Sequence, residues 1–157
     1  MRVLVICSGN ICRSPMADIY LKRRLADSGV AHVVVSSAGT LNIHDRPADS
    51  NAVKAMREIK VDLDGHRSRG LSESDLVSAD HVIVMERTHL EWLAHHFPAG
   101  RGQRWLIRAF EQSPTPNPDA PDLDDPIGQP FALFRQQRDQ ICACIDHFVL
   151  YLKHQES

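Results

Sequence analysis

The stretch that most constrains this chain is residues 1–29, where an apolar run enters a small polar turn and leaves it as a helix. Arg2–Ile6 (RVLVI) is rich in β-branched residues and reads as a buried strand. From Ser14 onward, Ala17, Tyr20, Leu21 and Leu25 recur at helical spacing as far as Gly29. Ser14 is a natural N-cap, and Pro15 suits the first helical position. Between strand and helix lie Cys7, Ser8, Gly9, Asn10, Ile11, Cys12 and Arg13. A strand that turns sharply into a helix start aims backbone N–H groups and the positive end of the helix dipole at one point. That is how an anion site is built.

The residue types in the turn each have a task at such a site. A thiolate is a strong nucleophile, and a helix N-terminus together with Arg13 stabilises negative charge at Cys7. The planar guanidinium of Arg13 can grip two phosphate oxygens. Gly9 supplies backbone freedom, and Asn10 tolerates the left-handed region. Residues 8–13 are the candidate phosphate-binding loop. It is not of the nucleotide type, because no G-x-x-x-x-G-K-[ST] occurs. A Cys followed six residues later by Arg says little by itself; the strand, turn and capped helix around it give it weight.

The rest of the chain alternates strand and helix. Val33–Ser37 and His81–Met85 read as strands, Arg104–Ile107 as a fourth, and helices are expected around Ala52–Ile59 and Leu90–Phe97. Residues 112–129 are rich in Pro, Asp and Asn and read as a long functional loop. A last helix carries Phe134, Ile141, Ile145, Phe148, Val149 and Leu152 on one face. This predicts one α/β domain over residues 1–157, a parallel sheet with helices on both faces and the phosphate loop between strand 1 and helix 1. At 157 residues and a net charge of −2, no bulk electrostatics point to nucleic acid or an anionic membrane. The five-residue apolar run at the start is too short for an export signal, so a cytoplasmic location with reduced thiols is expected. Cys7, Cys12, Cys142 and Cys144 lack zinc-site spacing.

CSGNICRSPMAD (7–18) resembles the signature V-C-x-G-N-I-C-R-S-P-x-A of low-molecular-weight protein tyrosine phosphatases, departing only at Ile6. The likeness continues through SSAGT (36–40), PAD (47–49), GHRSR (65–69), ADHVIVM (79–85) and Asp125-Pro126. It implies a four-stranded parallel sheet and hydrolysis of phosphotyrosine through a phosphocysteine on Cys7, with Arg13 binding phosphate and no metal or cofactor. The leaving oxygen needs a proton, and DLDDP offers Asp122, Asp124 and Asp125. The resemblance selects Asp125, whose backbone Pro126 restricts. It also implies a supporting network of Asn10, Ser14, Ser37 and His66, and a protective disulfide from Cys12 to Cys7.

Pocket walls are expected from Leu41, Ile43, His44 and Ile127, less aromatic than in many relatives. The pattern is similar to bacterial members that act on tyrosine kinases controlling exopolysaccharide export. A phosphotyrosine protein, such as a bacterial tyrosine kinase, is the expected partner, and the chain itself is expected to be a monomer or weak dimer. Three rival readings are an arsenate reductase, a protein-arginine phosphatase and a non-catalytic phosphate-binding module. The first needs relay cysteines, and none lies between 13 and 141. In the family, Thr at the position of Ile11 marks the second. Retention of Cys7, Arg13 and Asp125 together argues against the third.

Overall fold

The computed structural model describes residues 1–157. Its sheet consists of β1 (Arg2–Cys7), β2 (Val34–Gly39), β3 (His81–Val84) and β4 (Gln103–Leu106). All pairings are parallel, in the order β2-β1-β3-β4. β1 and β3 are the interior strands and are buried on both faces, except for Arg2 at the start of β1. This is why RVLVIC and HVIV read as continuous apolar runs rather than alternating ones. The edge strands β2 and β4 carry the exposed positions.

The helices are α1 (Arg13–Asp27), α2 (Ser50–Arg57), α3 (Glu73–Ser78), α4 (Arg87–His96) and α5 (Phe131–Glu156). From β1 the chain crosses to β2 in one direction, and from β3 to β4 in the other. Right-handed crossovers therefore place α1 and α4 on opposite faces. α5 packs against α1, α2 and a 3₁₀ turn at Ile107–Phe110. Its six expected apolar positions are all buried in one contiguous core that includes both interior strands.

Several details differ from the sequence reading. β2 runs two residues further, to Gly39. α3 was not expected; it has only six residues, too few for a periodic signal, and is held by a capping box between Ser72 and Asp75. α1 begins at Arg13 with Cys12 in the cap position and no side-chain cap, so Ser14 is not its N-cap. The Ser14 hydroxyl is drawn instead into the preceding turn. Pro15 sits third in the helix, where its missing N–H still costs nothing.

Candidate active site

In a parallel sheet of this order, the crevice opens where strand order reverses, beyond the carboxyl ends of β1 and β3. The loop after β1 therefore lies where a ligand would bind. Here Cys7–Arg13 folds into a tight cradle. Asn10 takes φ 59°, the left-handed region that asparagine tolerates. Gly9 does not; its expected backbone freedom is used by the next residue instead.

Asn10 is fully buried, and every polar atom it carries is used. Its N–H donates to Cys7 Sγ at 3.2 Å, and its side-chain amide donates to Ser14 Oγ at 2.8 Å and Ser37 Oγ at 3.0 Å. Its Oδ1 accepts the Arg69 N–H at 3.1 Å, and its carbonyl accepts from His66 Nε2 at 2.7 Å. Ser14 Oγ lies 3.0 Å from Cys7 Sγ. With its oxygen already accepting from Asn10, the hydroxyl is free to donate to the sulfur. Asn10, Ser14, Ser37 and His66 thus form one connected network around the cysteine. Burial lowers the pKa of His66, keeping it a neutral donor to the loop carbonyl.

The segments flanking the loop brace it. Asp49, at the head of α2, donates its N–H to the Ile11 carbonyl at 2.8 Å. Gly39 approaches so closely that a Cβ there would lie 2.6 Å from the Ser8 carbonyl oxygen. Thr40 and Leu41 N–H groups bond the carbonyls of Cys7 and Ser8 at 3.1 and 3.0 Å.

Arg13 is 1% exposed. Its Nη1 bonds Glu86 Oε2 at 3.0 Å and the Leu123 carbonyl at 2.6 Å. Nη2 stands 3.5 Å from Asp125 Oδ2, and Nε is buried without a partner. One nitrogen thus anchors the guanidinium, and the Nε–Nη2 edge, the edge suited to two oxygens, carries no hydrogen bond, with the Asp125 carboxylate facing Nη2.

A cleft of about 140 Å³ is lined by Cys7, Ser8, Gly9, Ile11, Cys12, Arg13, Leu41, Ile43, Asp125 and Ile127. The structure separates the three aspartates that the sequence left adjacent. Asp122 Oδ1 accepts the Arg87 N–H at the start of α4, at 2.7 Å. Asp124 is absent from the cleft lining, whereas Asp125, 40% exposed, is part of it. His44 is also absent, contrary to the expectation that it forms a wall. Its ring bonds Asn42 Oδ1 at 2.8 Å and accepts from the Gly70 N–H at 3.5 Å.

Two residues escaped the sequence reading. Glu86 anchors Arg13, and His89, 3% exposed, lies beside both. His89 Nδ1 accepts the Glu86 N–H at 3.1 Å, so Nε2 carries the proton and donates to Ser8 Oγ at 2.9 Å. Burial, then the Arg13 charge, lowers the His89 pKa and keeps the ring neutral. The available signal was position: Glu86 follows β3 almost directly, at the end of the sheet where the crevice must open. Burial pushes Cys12 far above the ordinary thiol range, helped by Asp49, Asp125 and Cys7 and opposed by Arg13, so it stays a protonated thiol.

Fold and loop together define a class: an α/β protein with a cysteine-bearing anion cradle at its switch point. The model of the low molecular weight phosphotyrosine protein phosphatase family matches residues 2–157, and the chain belongs to that family. The protein-tyrosine-phosphatase Etp of Escherichia coli K12 is 34% identical over 117 residues, 74% of this chain and 76% of Etp. The solved tyrosine phosphatase Wzb of E. coli K30, in complex with sulphate, superposes with TM-score 0.81 at 28% identity, covering 96% of this chain and 97% of Wzb. The arginine phosphatase YwlE, in a mutant with a phosphorylated active-site serine, gives TM-score 0.88 at 29% identity over 98% and 96% of the two chains.

Proposed function

We propose that the protein hydrolyses phosphotyrosine in proteins through a phosphocysteine on Cys7. Cys7 Sγ attacks phosphorus, the bond to the tyrosine oxygen breaks, and Asp125 gives that oxygen its proton. Water then attacks the phosphocysteine with Asp125 taking a proton, and inorganic phosphate leaves as the thiolate is restored. The loop N–H groups of residues 8–13 and the open edge of Arg13 hold the non-bridging oxygens throughout. No step calls for a metal. The observation that carries this reading is the buried, unpartnered Nε of Arg13 in the loop that ends on Cys7. A phosphate oxygen is the partner that a buried cationic N–H lacks. The phosphorylated serine trapped in YwlE is the corresponding covalent state in a relative.

Leu41, Ile43 and Ile127 form aliphatic walls that can hold a phenyl ring by contact alone. The likeness to YwlE keeps arginine phosphatase as the second reading, with Ile11 in place of Thr favouring tyrosine. Cys142 and Cys144, pushed up to about 12 by burial, lack the reactivity of an arsenate reductase relay. The partner we assign is a phosphorylated bacterial tyrosine kinase of the exopolysaccharide-export type, met in the cytoplasm.

The test is turnover of p-nitrophenyl phosphate in EDTA, with phosphotyrosine and phosphoarginine peptides in parallel. Activity is expected on the ester and the phosphotyrosine peptide, and none in Cys7→Ser. Asp125→Ala should lose on the order of 10²–10⁴-fold on phosphotyrosine and far less on the nitrophenyl ester. Binding without turnover would reject the enzymatic reading, and preference for phosphoarginine would replace the substrate.

A further inference from the structure

Asp125 belongs to a segment, Gln112–Gln129, with no regular structure, yet the residues just before it are firmly held. The carbonyl oxygens of Asp122, Leu123 and Asp124 accept hydrogen bonds from three separate elements. Arg108 Nη1, in the 3₁₀ turn, reaches Asp122 at 3.0 Å; Arg13 Nη1, in α1, reaches Leu123 at 2.6 Å; Gln137 Nε2, in α5, reaches Asp124 at 2.5 Å. The last of these carbonyls is part of the peptide unit joining Asp124 to Asp125. That unit is planar, so holding its oxygen also places the nitrogen and Cα of Asp125. Pro126 restricts the same residue from the other side.

Packing does not explain a glutamine at this position. Gln137 is 3% exposed and shares its helix with buried Phe134, Ile141, Cys144 and Ile145. Its Oε1 is buried with no partner, which an apolar side chain of similar size would avoid. What glutamine adds there is one N–H aimed at the Asp124 carbonyl.

We propose that Gln137 is a positioning residue for the proton donor, fixing the peptide group that sets where Asp125 stands in the cleft it shares with Cys7. This rests on the reading of Asp125 as the general acid. A misplaced acid slows only the step that needs its proton, so the defect grows with the basicity of the leaving group.

The measurement is kcat/KM on phenyl phosphate and p-nitrophenyl phosphate for wild type, Gln137→Met, Asp125→Asn and the double variant. Gln137→Met is expected to lose about tenfold on the phenyl ester and less than about twofold on the nitrophenyl ester, and nothing further on either once Asp125→Asn is present. Gln137→Leu serves as the second variant if Gln137→Met does not fold. Equal losses on both esters, or a loss that persists in the Asp125→Asn background, would overturn the proposal. If Asp125→Asn itself falls equally on both esters, the acid assignment fails and this inference with it. If Asp125→Asn discriminates between the esters and Gln137→Met does not, only the role of Gln137 falls.

Discussion

Cys7 and Cys12 are five residues apart in one loop, yet their surroundings give them different chemistry. Cys7 Sγ accepts the Asn10 N–H at 3.2 Å and lies 3.0 Å from Ser14 Oγ. Cys12 is buried near Asp49 and Asp125 and keeps its proton. On treatment with peroxide, Cys7 is expected to form a sulfenic acid from which Cys12 displaces water, closing a disulfide. Peroxide is expected to inactivate the wild type reversibly, with dithiothreitol restoring p-nitrophenyl phosphate turnover. Cys12→Ser should recover much less, because its sulfenic acid oxidises further. Equal recovery by the two proteins would remove Cys12 from the scheme. At this scale the sequence was informative for Cys7, Asn10 and Arg13, whose types and spacing fall within one short loop. Residue chemistry alone did not choose among Asp122, Asp124 and Asp125; the family resemblance pointed to Asp125, and only the structure shows what faces each of them.

The loop keeps its shape because neighbouring elements press against it. β1 and β2 stay in register to the Cys7–Gly39 pair, and there β2 carries no side chain. A methyl group at Gly39 would sit 2.6 Å from the Ser8 carbonyl oxygen and 3.0 Å from the Asn10 nitrogen, both backbone atoms with little room to yield. Gly39→Ala is therefore expected to cost about 2 kcal/mol of stability, as overpacking does. It should also weaken inhibition by inorganic phosphate, because the displaced atoms belong to the cradle. Urea unfolding and phosphate inhibition constants check this, and an unchanged phosphate constant would mean that Gly39 is not shaping the loop. The interior strands were legible as continuous apolar runs, because they are buried on both faces, and the last helix because burial of one face imprints a helical period. The six-residue α3 and the 3₁₀ turn were not, since each is shorter than the window in which a period can be seen.

Across the whole molecule, two buried histidines, His81 and His89, and the half-buried His66 are kept neutral for one shared reason, desolvation. His66 braces the loop, His89 lies between Ser8 and Glu86, and His81 in β3 accepts a hydrogen bond from Trp105 Nε1 at 3.3 Å. Each has its pKa lowered from an ordinary value of 6.5. Below that value the unfolded chain binds protons that the folded chain refuses, so stability falls as pH drops through about 6.5 and levels off above it. The urea midpoint should decrease from pH 7.5 to pH 5.5, and His81→Gln, which keeps an acceptor for Trp105, should flatten part of that slope. A midpoint independent of pH over this range would contradict it.

The sequence by itself determined the α/β class and the strand–loop–helix at the N-terminus, and it singled out Cys7 and Arg13 as the candidate nucleophile and its arginine, because these depend on hydrophobic pattern and on residues within one short loop. Only the tertiary structure decided what holds Arg13 and Asp125. Glu86 and the Leu123 carbonyl meet Arg13 from 73 and 110 positions away, and Ser8 finds His89 from 81. Such contacts are set by strand order and crossover direction. They leave no trace in a local pattern, and a glutamate or a glutamine looks the same in sequence whether it faces water or an active site.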